Sequence, residues 1–227
     1  MKPKNLKFPF DWESRAPLLQ DDVFYVPNHY EQHDLWSKEK LLGEHFSRFA
    51  SISVEYCAGN GAWIAEKAKE NLDVLWIAVD KRFDRVRKIW AKKQNLALDN
   101  LFIVCGDAFT FTKNYLPSGV VNEIFINFPD PWPKARHAKH RVVQNYFVQE
   151  MARVSKEGGE AVWVTDDAPY SLQILSEMLE GKIWEPSFNH PFYTTTWPTY
   201  GTSFFEALWK EQGKEIRYMK FIKNTSK

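Results

Sequence analysis

The side chains most suited to chemistry lie in one short segment, residues 122–141. Its apolar run Ile124-Phe125-Ile126 predicts a buried strand, and the sequence Asn-Phe-Pro-Asp-Pro-Trp-Pro follows at once. Ligands of open α/β sheets bind just beyond the carboxyl ends of strands. Because three prolines restrict the backbone here, the turn can grip a reacting group at little further cost in ordering entropy. The segment therefore indicates a binding loop.

Within this loop, Asp130 supplies a carboxylate and Trp132 an apolar face. Four cations follow that suit phosphate groups: Lys134, Arg136, Lys139 and Arg141. A solvated helix start is the alternative interpretation of these cations. The combination of carboxylate, aromatic ring and cations nevertheless favours chemistry on a nucleic acid over chemistry on a metabolite.

The overall charge of the chain is close to balance, at +1 over 227 residues. Affinity for a polyanion must therefore come from local patches rather than from long-range attraction. A second basic run can be either an RNA contact or a solvated helix face: Lys81, Arg82, Arg85, Arg87, Lys88, Lys92 and Lys93. If both basic patches touch RNA, affinity falls steeply with salt.

Only two cysteines occur, Cys57 and Cys105, so we expect reduced thiols rather than a disulfide framework. The sequence has no run of 18 apolar residues and no signal-peptide core at its start, which predicts a soluble, cytoplasmic protein without a membrane partner. His137 and His140 have a spacing that can hold a metal, but no further Cys or His lies nearby, so we expect no metal site. A monomer or a homodimer is compatible with the sequence.

Strand-like and helical runs alternate along the chain, which predicts an α/β fold with a doubly wound, mostly parallel sheet. The expected strands are residues 52–57, 74–80, 101–105, 123–128 and 161–165, with helices over 61–70, 83–95 and 138–154. Residues 216–223 alternate and predict a late edge or antiparallel strand. We expect one domain over residues 1–227, with 1–33 as an irregular N-terminal extension.

The first expected strand ends in a glycine turn, Glu55-Tyr56-Cys57-Ala58-Gly59-Asn60-Gly61. Such glycines permit positive φ and close approach of a ligand. A dinucleotide fingerprint would have a third glycine at position 64, where this chain has Ile64, so the turn suits a ligand without a pyrophosphate. Asp80 follows the second strand at the position from which an acidic side chain can accept both ribose hydroxyls.

Carboxylates thus follow four successive strands: Glu55, Asp80, Asp107 and Asp130. Any one of them could be a helix N-cap instead. A pocket lined with carboxylates repels phosphates and favours a cation. S-adenosylmethionine has a ribose, an adenine, an amino group and a sulfonium but no phosphate, so it is the cofactor that this set predicts.

At this point the sequence resembles a known family. The run Phe128 to Lys139, FPDPWPKARHAK, is similar to the signature of bacterial tRNA (guanine-N7-)-methyltransferases, which are class I, Rossmann-like enzymes. The similarity extends over residues 50–222 and includes the glycine turn, Asp80, Gly106-Asp107-Ala108, Thr165-Asp166 and Ser203 to Glu206. It implies a seven-stranded sheet in the order 3-2-1-4-5-7-6.

By this resemblance the enzyme methylates N7 of a guanine in tRNA, at position 46 of the variable loop. The residues implied to hold S-adenosylmethionine are Glu55, Gly59, Gly61, Asp80, Asp107, Ala108 and Asp130. Those implied to meet the guanine are Lys134, Asp166, Ser203, Phe204, Phe205 and Glu206. The chain has Cys57 where glycine is usual in the family and His140 where arginine is usual; neither change touches the carboxylates.

Guanine N7 has a free lone pair, so methylation requires orientation and charge stabilisation rather than removal of a proton. We expect Asp130 to act electrostatically as the catalytic residue, and Asp166 to accept the guanine N1–H and N2–H₂ groups. An amino-methyltransferase acting on adenine or cytosine is one alternative, since Asn127 precedes the prolines. A non-catalytic tRNA-binding protein is another, and a nicotinamide dehydrogenase is the weakest because the third glycine is missing.

Overall fold

The computed structural model of the protein describes residues 1–10, 15–28, 30–33, 43, 47–201 and 204–225. The chain forms two compact units, Met1–Pro117 and Ser118–Lys227. Among the described residues, no helix has the length and apolar character needed to cross a membrane. That the whole chain acts as a single methyltransferase domain stays a prediction.

The first unit is built on a mainly parallel set of strands. Its strands are β1 (Leu18–Gln20), β2 (Val23–Val26), β3 (Ser51–Tyr56), β4 (Val74–Asp80) and β5 (Leu101–Gly106). Their spatial order is β1-β2-β5-β4-β3, and every pair is parallel except β1 with β2. The buried runs of β3, β4 and β5 are what covered parallel strands require, and their order confirms the expected 3-2-1 arrangement.

Helices follow the three central strands of this unit. They are α1 (Ala62–Glu70), α2 (Phe83–Leu96) and α3 (Ala108–Tyr115), and a short 3-10 helix, Pro3–Asn5, lies near the start of the chain. Each α-helix begins within a few residues of a strand end. The strand-end side chains named above therefore sit where strand and helix meet.

The N-terminal extension is not irregular, because it contributes β1 and β2 to the sheet. Asp21 and Asp22 both have positive φ, 51° and 62°, which makes the tight two-residue turn of a hairpin. All four residues of β2 are buried, since this strand pairs on its other side with β5. Strands covered in this way lack polar alternation, which is why the sequence showed no clear period. The described residues accordingly hold nine strands rather than seven.

The second unit contains four strands: β6 (Val121–Asn127), β7 (Ser155–Thr165), β8 (Trp184–Pro186) and β9 (Arg217–Lys223). Their order is β6-β7-β9-β8, in which only β6 and β7 are parallel. This confirms the expected order 4-5-7-6. Strand β9 corresponds to the late strand predicted over residues 216–223. It is antiparallel to both of its neighbours, β7 and β8, and therefore does not lie at an edge.

The helices of the second unit are α4 (Asn145–Val154), α5 (Ala168–Leu179) and α6 (Phe204–Glu211). Two 3-10 helices, Ala135–His140 and Glu180–Lys182, complete the unit. The single helix expected over 138–154 is thus a 3-10 turn followed by α4. Residues 141–144, which separate the 3-10 helix from α4, are not helical.

Candidate active site

The glycine turn after β3 is a left-handed stretch of backbone. Cys57, Gly59 and Gly61 have φ angles of 58°, 58° and 69°. A Cβ atom on Gly61 would lie 2.7 Å from Cγ1 of Ile89 in α2, so this glycine is needed both for its backbone angle and for packing. The amide of Gly59 donates to the Asp80 carboxylate at 2.9 Å, which ties the turn to the end of β4.

Asp80 is the structural centre of this turn, with only 4% of its surface exposed. Its other oxygen accepts from the backbone amide of Arg82 at 2.8 Å, and the Arg85 guanidinium lies 3.7 Å away. Burial raises the pKa of Asp80 above its ordinary value, against the opposing effect of the amides and of Arg85. The carboxylate therefore organises the loop and retains lone pairs for a ligand.

Glu55 and Asp107 differ in how the structure uses them. Glu55 is buried in β3, at 2% exposure. Asp107 caps α3, since its Oδ1 accepts from the Thr110 amide at 3.0 Å and from its hydroxyl at 3.2 Å. The N-cap alternative therefore applies to Asp107 through one of its two oxygens. Ala108 is the first residue of that helix and is half-buried.

The Cys57 side chain lies within the field of two of these carboxylates. Burial raises the pKa of the Cys57 thiol to about 12, and the charges of Asp80 and Asp107 act in the same direction. The thiol is therefore protonated at neutral pH and is no nucleophile. The first unit thus brings Cys57, Gly59, Asp80 and Asp107 together as a turn rich in acceptors, which fits the hydroxyl and amino donors of an adenosine-type cofactor.

In the second unit, the loop that follows β6, residues 128–133 and called the proline loop below, has strained backbone at two points. Phe128 and Trp132, each directly before a proline, have φ angles of 49° and 44°. Left-handed backbone at such residues costs of order 1–3 kcal/mol each and persists where surrounding contacts impose it. Asp130 lies between these two residues and is exposed. The loop presents this carboxylate to solvent on a fixed backbone.

The four cations after the loop fall into two groups. Lys134, Arg136 and Lys139 are exposed, as expected for phosphate contacts. Arg141 is half-buried, and its guanidinium donates to the Pro131 carbonyl at 2.7 Å. The structure therefore separates Arg141 from the exposed cations.

Trp132 packs against both histidines of this segment. Its ring centre is 5.8 Å from that of His137 and 5.3 Å from that of His140. The described residues contain no group of three or more His, Cys, Asp or Glu side chains that could hold a metal ion.

Both acidic side chains expected to meet the guanine are paired with lysines. Asp166 forms an ion pair with Lys214 at 2.5 Å. Glu206, only 3% exposed, accepts from Tyr218 at 2.7 Å and from Lys210 at 2.6 Å. Ser203 and the side chains of Phe204 and Phe205 lie outside the described residues.

The basic run around α2 is largely engaged within the first unit. Its intramolecular contacts are Arg82 with Asp84 at 2.9 Å, Arg85 with Asp80 at 3.7 Å, Arg87 with the Pro3 carbonyl at 3.0 Å, Lys92 with the Asn60 carbonyl at 3.0 Å, and Lys93 with Asp22 at 3.6 Å. Lys81 and Lys88 are exposed. This pattern favours a structural interpretation of the run over an RNA contact.

Comparison with known proteins decides the family. The model of a family described as putative methyltransferases matches residues 50–219. The tRNA (guanine-N(7)-)-methyltransferases of Chlamydia caviae and Chlamydia felis are 45% and 47% identical to this chain, over 98% of both chains. The chain belongs to the tRNA (guanine-N(7)-)-methyltransferase family. A member from Leptospira interrogans is 29% identical and covers 80% of this chain and 82% of its own length.

Comparison with solved structures shows which proteins share the fold of this chain. The 16S rRNA methyltransferase KamB superposes with a TM-score of 0.61 over 81% of this chain and 93% of its own, at 16% identity. The antibiotic-resistance methyltransferase Kmr gives 0.56 over 85% and 95%, at 17% identity. The chain therefore has the predicted α/β methyltransferase fold, and its sheet is mixed.

Several partners of these side chains were not predicted from the sequence. Lys214 lies 48 residues from Asp166, and Tyr200 donates to Asn127 at 2.6 Å across 73 residues. Such pairs leave no local sequence pattern, because the two partners lie far apart in the sequence and only the fold brings them together. The aromatic run 192–200 was the one available signal, since buried tyrosines need a hydrogen-bond partner.

Proposed function

We propose that this protein transfers a methyl group from S-adenosylmethionine to N7 of a guanine in tRNA. Its family membership supports the reaction, and one observation carries the chemistry. The loop after β6 presents an exposed carboxylate, Asp130, on a backbone held in left-handed geometry at both flanks. A carboxylate fixed in this way can act on a developing positive charge without reorganising first.

We propose that the strand-end acceptors of the first unit hold the cofactor. The buried Asp80 carboxylate is suited to ribose hydroxyls, and the Oδ2 atom of Asp107 is suited to an amino donor. Glu55, Gly59, Gly61 and Ala108 complete this proposed set. When bound, S-adenosylmethionine supplies an electrophilic methyl group on a sulfonium.

The proline loop then has two tasks toward the guanine. No proton leaves N7 before attack, so no general base is needed, and the chain's contribution is orientation of the lone pair. The purine becomes cationic as the methyl group arrives, and the Asp130 carboxylate stabilises that charge. Lys134 is the N-cap residue of the 3-10 helix beside the loop and is proposed to contact the same nucleotide.

Asp166 is proposed to recognise the base. Lys214 contacts its Oδ2 atom, which leaves Oδ1 to accept from the guanine N1–H or N2–H₂ group. Guanine offers this pair of donors, and adenine does not. The stretch from Ser203 to Glu206, including Phe204 and Phe205, is proposed to form the remaining wall.

The geometry disfavours methylation of an exocyclic amino group. An amino-methyltransferase would use the Asn127 side-chain oxygen to accept from the target amine. Here Asn127 is 7% exposed, and its Oδ1 accepts from the Tyr200 hydroxyl at 2.6 Å. That oxygen is committed to the fold, which supports N7 as the acceptor.

The proposal is tested by incubating the protein with methyl-labelled S-adenosylmethionine and unmodified tRNA. Label should enter the tRNA, and strand scission specific to 7-methylguanosine should map it, with position 46 of the variable loop expected. A matched transcript containing 7-deazaguanosine has no N7 and should accept no label. Label that persists in that transcript, or that gives no scission, would place the methyl group elsewhere and overturn the proposal.

Two finer expectations accompany this reaction. The exposed cations Arg136 and Lys139 are proposed to contact RNA phosphates. A protein that modifies tRNA is expected in the cytoplasm, which is the location we propose.

A further inference from the structure

The Arg141 side chain is half-buried and contacts the backbone of the proline loop instead of extending into solvent. Its Nε donates to the Pro131 carbonyl at 2.7 Å, and its Nη2 reaches the Trp132 carbonyl at 3.4 Å. These two carbonyls belong to the peptide groups on either side of Trp132, one of the two left-handed residues of the loop. The guanidinium thus contacts the backbone where the strain is held.

The other side of the same guanidinium reaches helix α5. Its Nη1 donates to Oε1 of Gln173, and its central carbon lies 5.0 Å from the centre of the buried Tyr170 ring. Helix α5 begins at Ala168, directly after its N-cap Asp167. One side chain therefore connects the loop that presents Asp130 to the helix that begins beside Asp166.

These contacts leave Arg141 poorly placed as a phosphate ligand. Each of its three guanidinium nitrogens already has an acceptor, and the group is half-buried over an aromatic face. A planar fork that donates in two directions is a property of arginine that lysine does not share. The geometry therefore depends on the shape of the group and not only on its charge.

We infer that Arg141 is a positioning residue for methyl transfer, which fixes the proline loop so that Asp130 faces the reacting base. This inference rests on the proposed function and revises the expectation that Arg141 contacts a phosphate. Gln173 is the anchor that orients the guanidinium. Losing the contacts of Arg141 with the loop carbonyls and Gln173 should make the loop more mobile and slow the chemical step. The affinity for RNA that the exposed cations provide should remain.

The test compares Arg141→Lys, which keeps the positive charge, with Lys139→Gln, which removes an exposed charge. At saturating tRNA and cofactor, Arg141→Lys should lower kcat at least tenfold, with the tRNA Kd and its salt dependence within about twofold of wild type. Lys139→Gln, by contrast, should weaken the tRNA Kd and give a salt slope smaller by about 0.7–0.9. Wild-type kcat in Arg141→Lys, or a salt slope altered by it as in Lys139→Gln, would overturn the inference.

Two further measurements separate this inference from the function it rests on. Hydrogen exchange of peptides spanning residues 128–134 should be faster in Arg141→Lys than in wild type, whether or not tRNA is methylated; unchanged exchange would overturn the inference. Gln173→Leu removes the anchor without touching a charge and should lower kcat in the same direction, and wild-type kcat in that variant would also overturn it. Failure of the wild-type protein to methylate tRNA would instead overturn the proposed function.

Discussion

The Lys214 ammonium group is paired with the Asp166 carboxylate at 2.5 Å and lies 3.6 Å from the centre of the Trp209 ring. The ring and the carboxylate thus hold the same cation from two sides. Asp166 is in turn held in one orientation by a lysine from beyond the end of α6. A carboxylate whose remaining oxygen must meet a guanine donor benefits from being ordered in advance.

Replacing Lys214 should therefore weaken recognition of the base. We expect Lys214→Met to raise the KM for tRNA about 3–10-fold with little change in kcat, which corresponds to ordering one side chain at 0.5–1.5 kcal/mol. Lys214→Arg, which can keep both the ion pair and the ring contact, is the matched control. Steady-state kinetics at varied tRNA decide the matter, and an unchanged KM in the methionine variant would show that the pair is only a surface contact.

Cofactor affinity should depend on pH through Asp80. Burial raises the pKa of this carboxyl above its ordinary value of 3.8, and the ionised form is the better acceptor for ribose hydroxyls. Affinity should thus be complete above the raised pKa and fall as the pH drops through it, earlier in acidification than an ordinary aspartate would predict. Calorimetry of S-adenosylmethionine binding between pH 4 and 7 measures this.

The Asp80→Asn variant provides the control for that experiment. It should bind the cofactor more weakly and without the acidic fall, because its amide does not titrate. The raised pKa also means that the folded state holds a proton more tightly than the unfolded state, so this group lowers stability as the pH rises through its window. An acidic fall of equal size in the variant would assign the titration to another group.

Cys57 offers a test of backbone strain in the glycine turn. Its φ of 58° is in the left-handed region, where a side chain costs about 1–2 kcal/mol and glycine costs little. We expect Cys57→Gly to raise the free energy of unfolding by up to about 1 kcal/mol in urea denaturation. Cys57→Ala keeps a Cβ atom and should give no such gain; equal stability of the two variants would argue against strain at this position.

Much of the fold followed from sequence patterns, because parallel strands between helices are long apolar runs. Strand β4 was predicted to its observed ends, and β3 and β5 to within one residue. The hairpin of β1 and β2 was missed, although its Asp21-Asp22 turn was a local signal. A hairpin whose second strand is covered on both sides shows no alternation, so only the turn chemistry could have predicted it.

The sequence gives the side-chain types of the candidate site but not the partners of those side chains, and the roles of these residues stay a prediction. The sequence does not distinguish a strand-end carboxylate that caps a helix, as Asp107 does, from one that accepts from the amide of a neighbouring turn, as Asp80 does. The role of Arg141 was equally hidden, since its acceptors are backbone carbonyls and a glutamine 32 residues away. Contacts of this kind depend on packing, and a sequence pattern does not record them.

We propose that the proline loop holds Asp130 ready to stabilise positive charge on the purine. The most direct test of this role is the single-turnover rate of methyl transfer by Asp130→Asn, with tRNA and S-adenosylmethionine both saturating. The rate should fall by roughly 10²–10³, the effect of losing one preorganised electrostatic group, while both dissociation constants and the melting temperature stay near wild type. A variant that transfers the methyl group at the wild-type rate would contradict the claim.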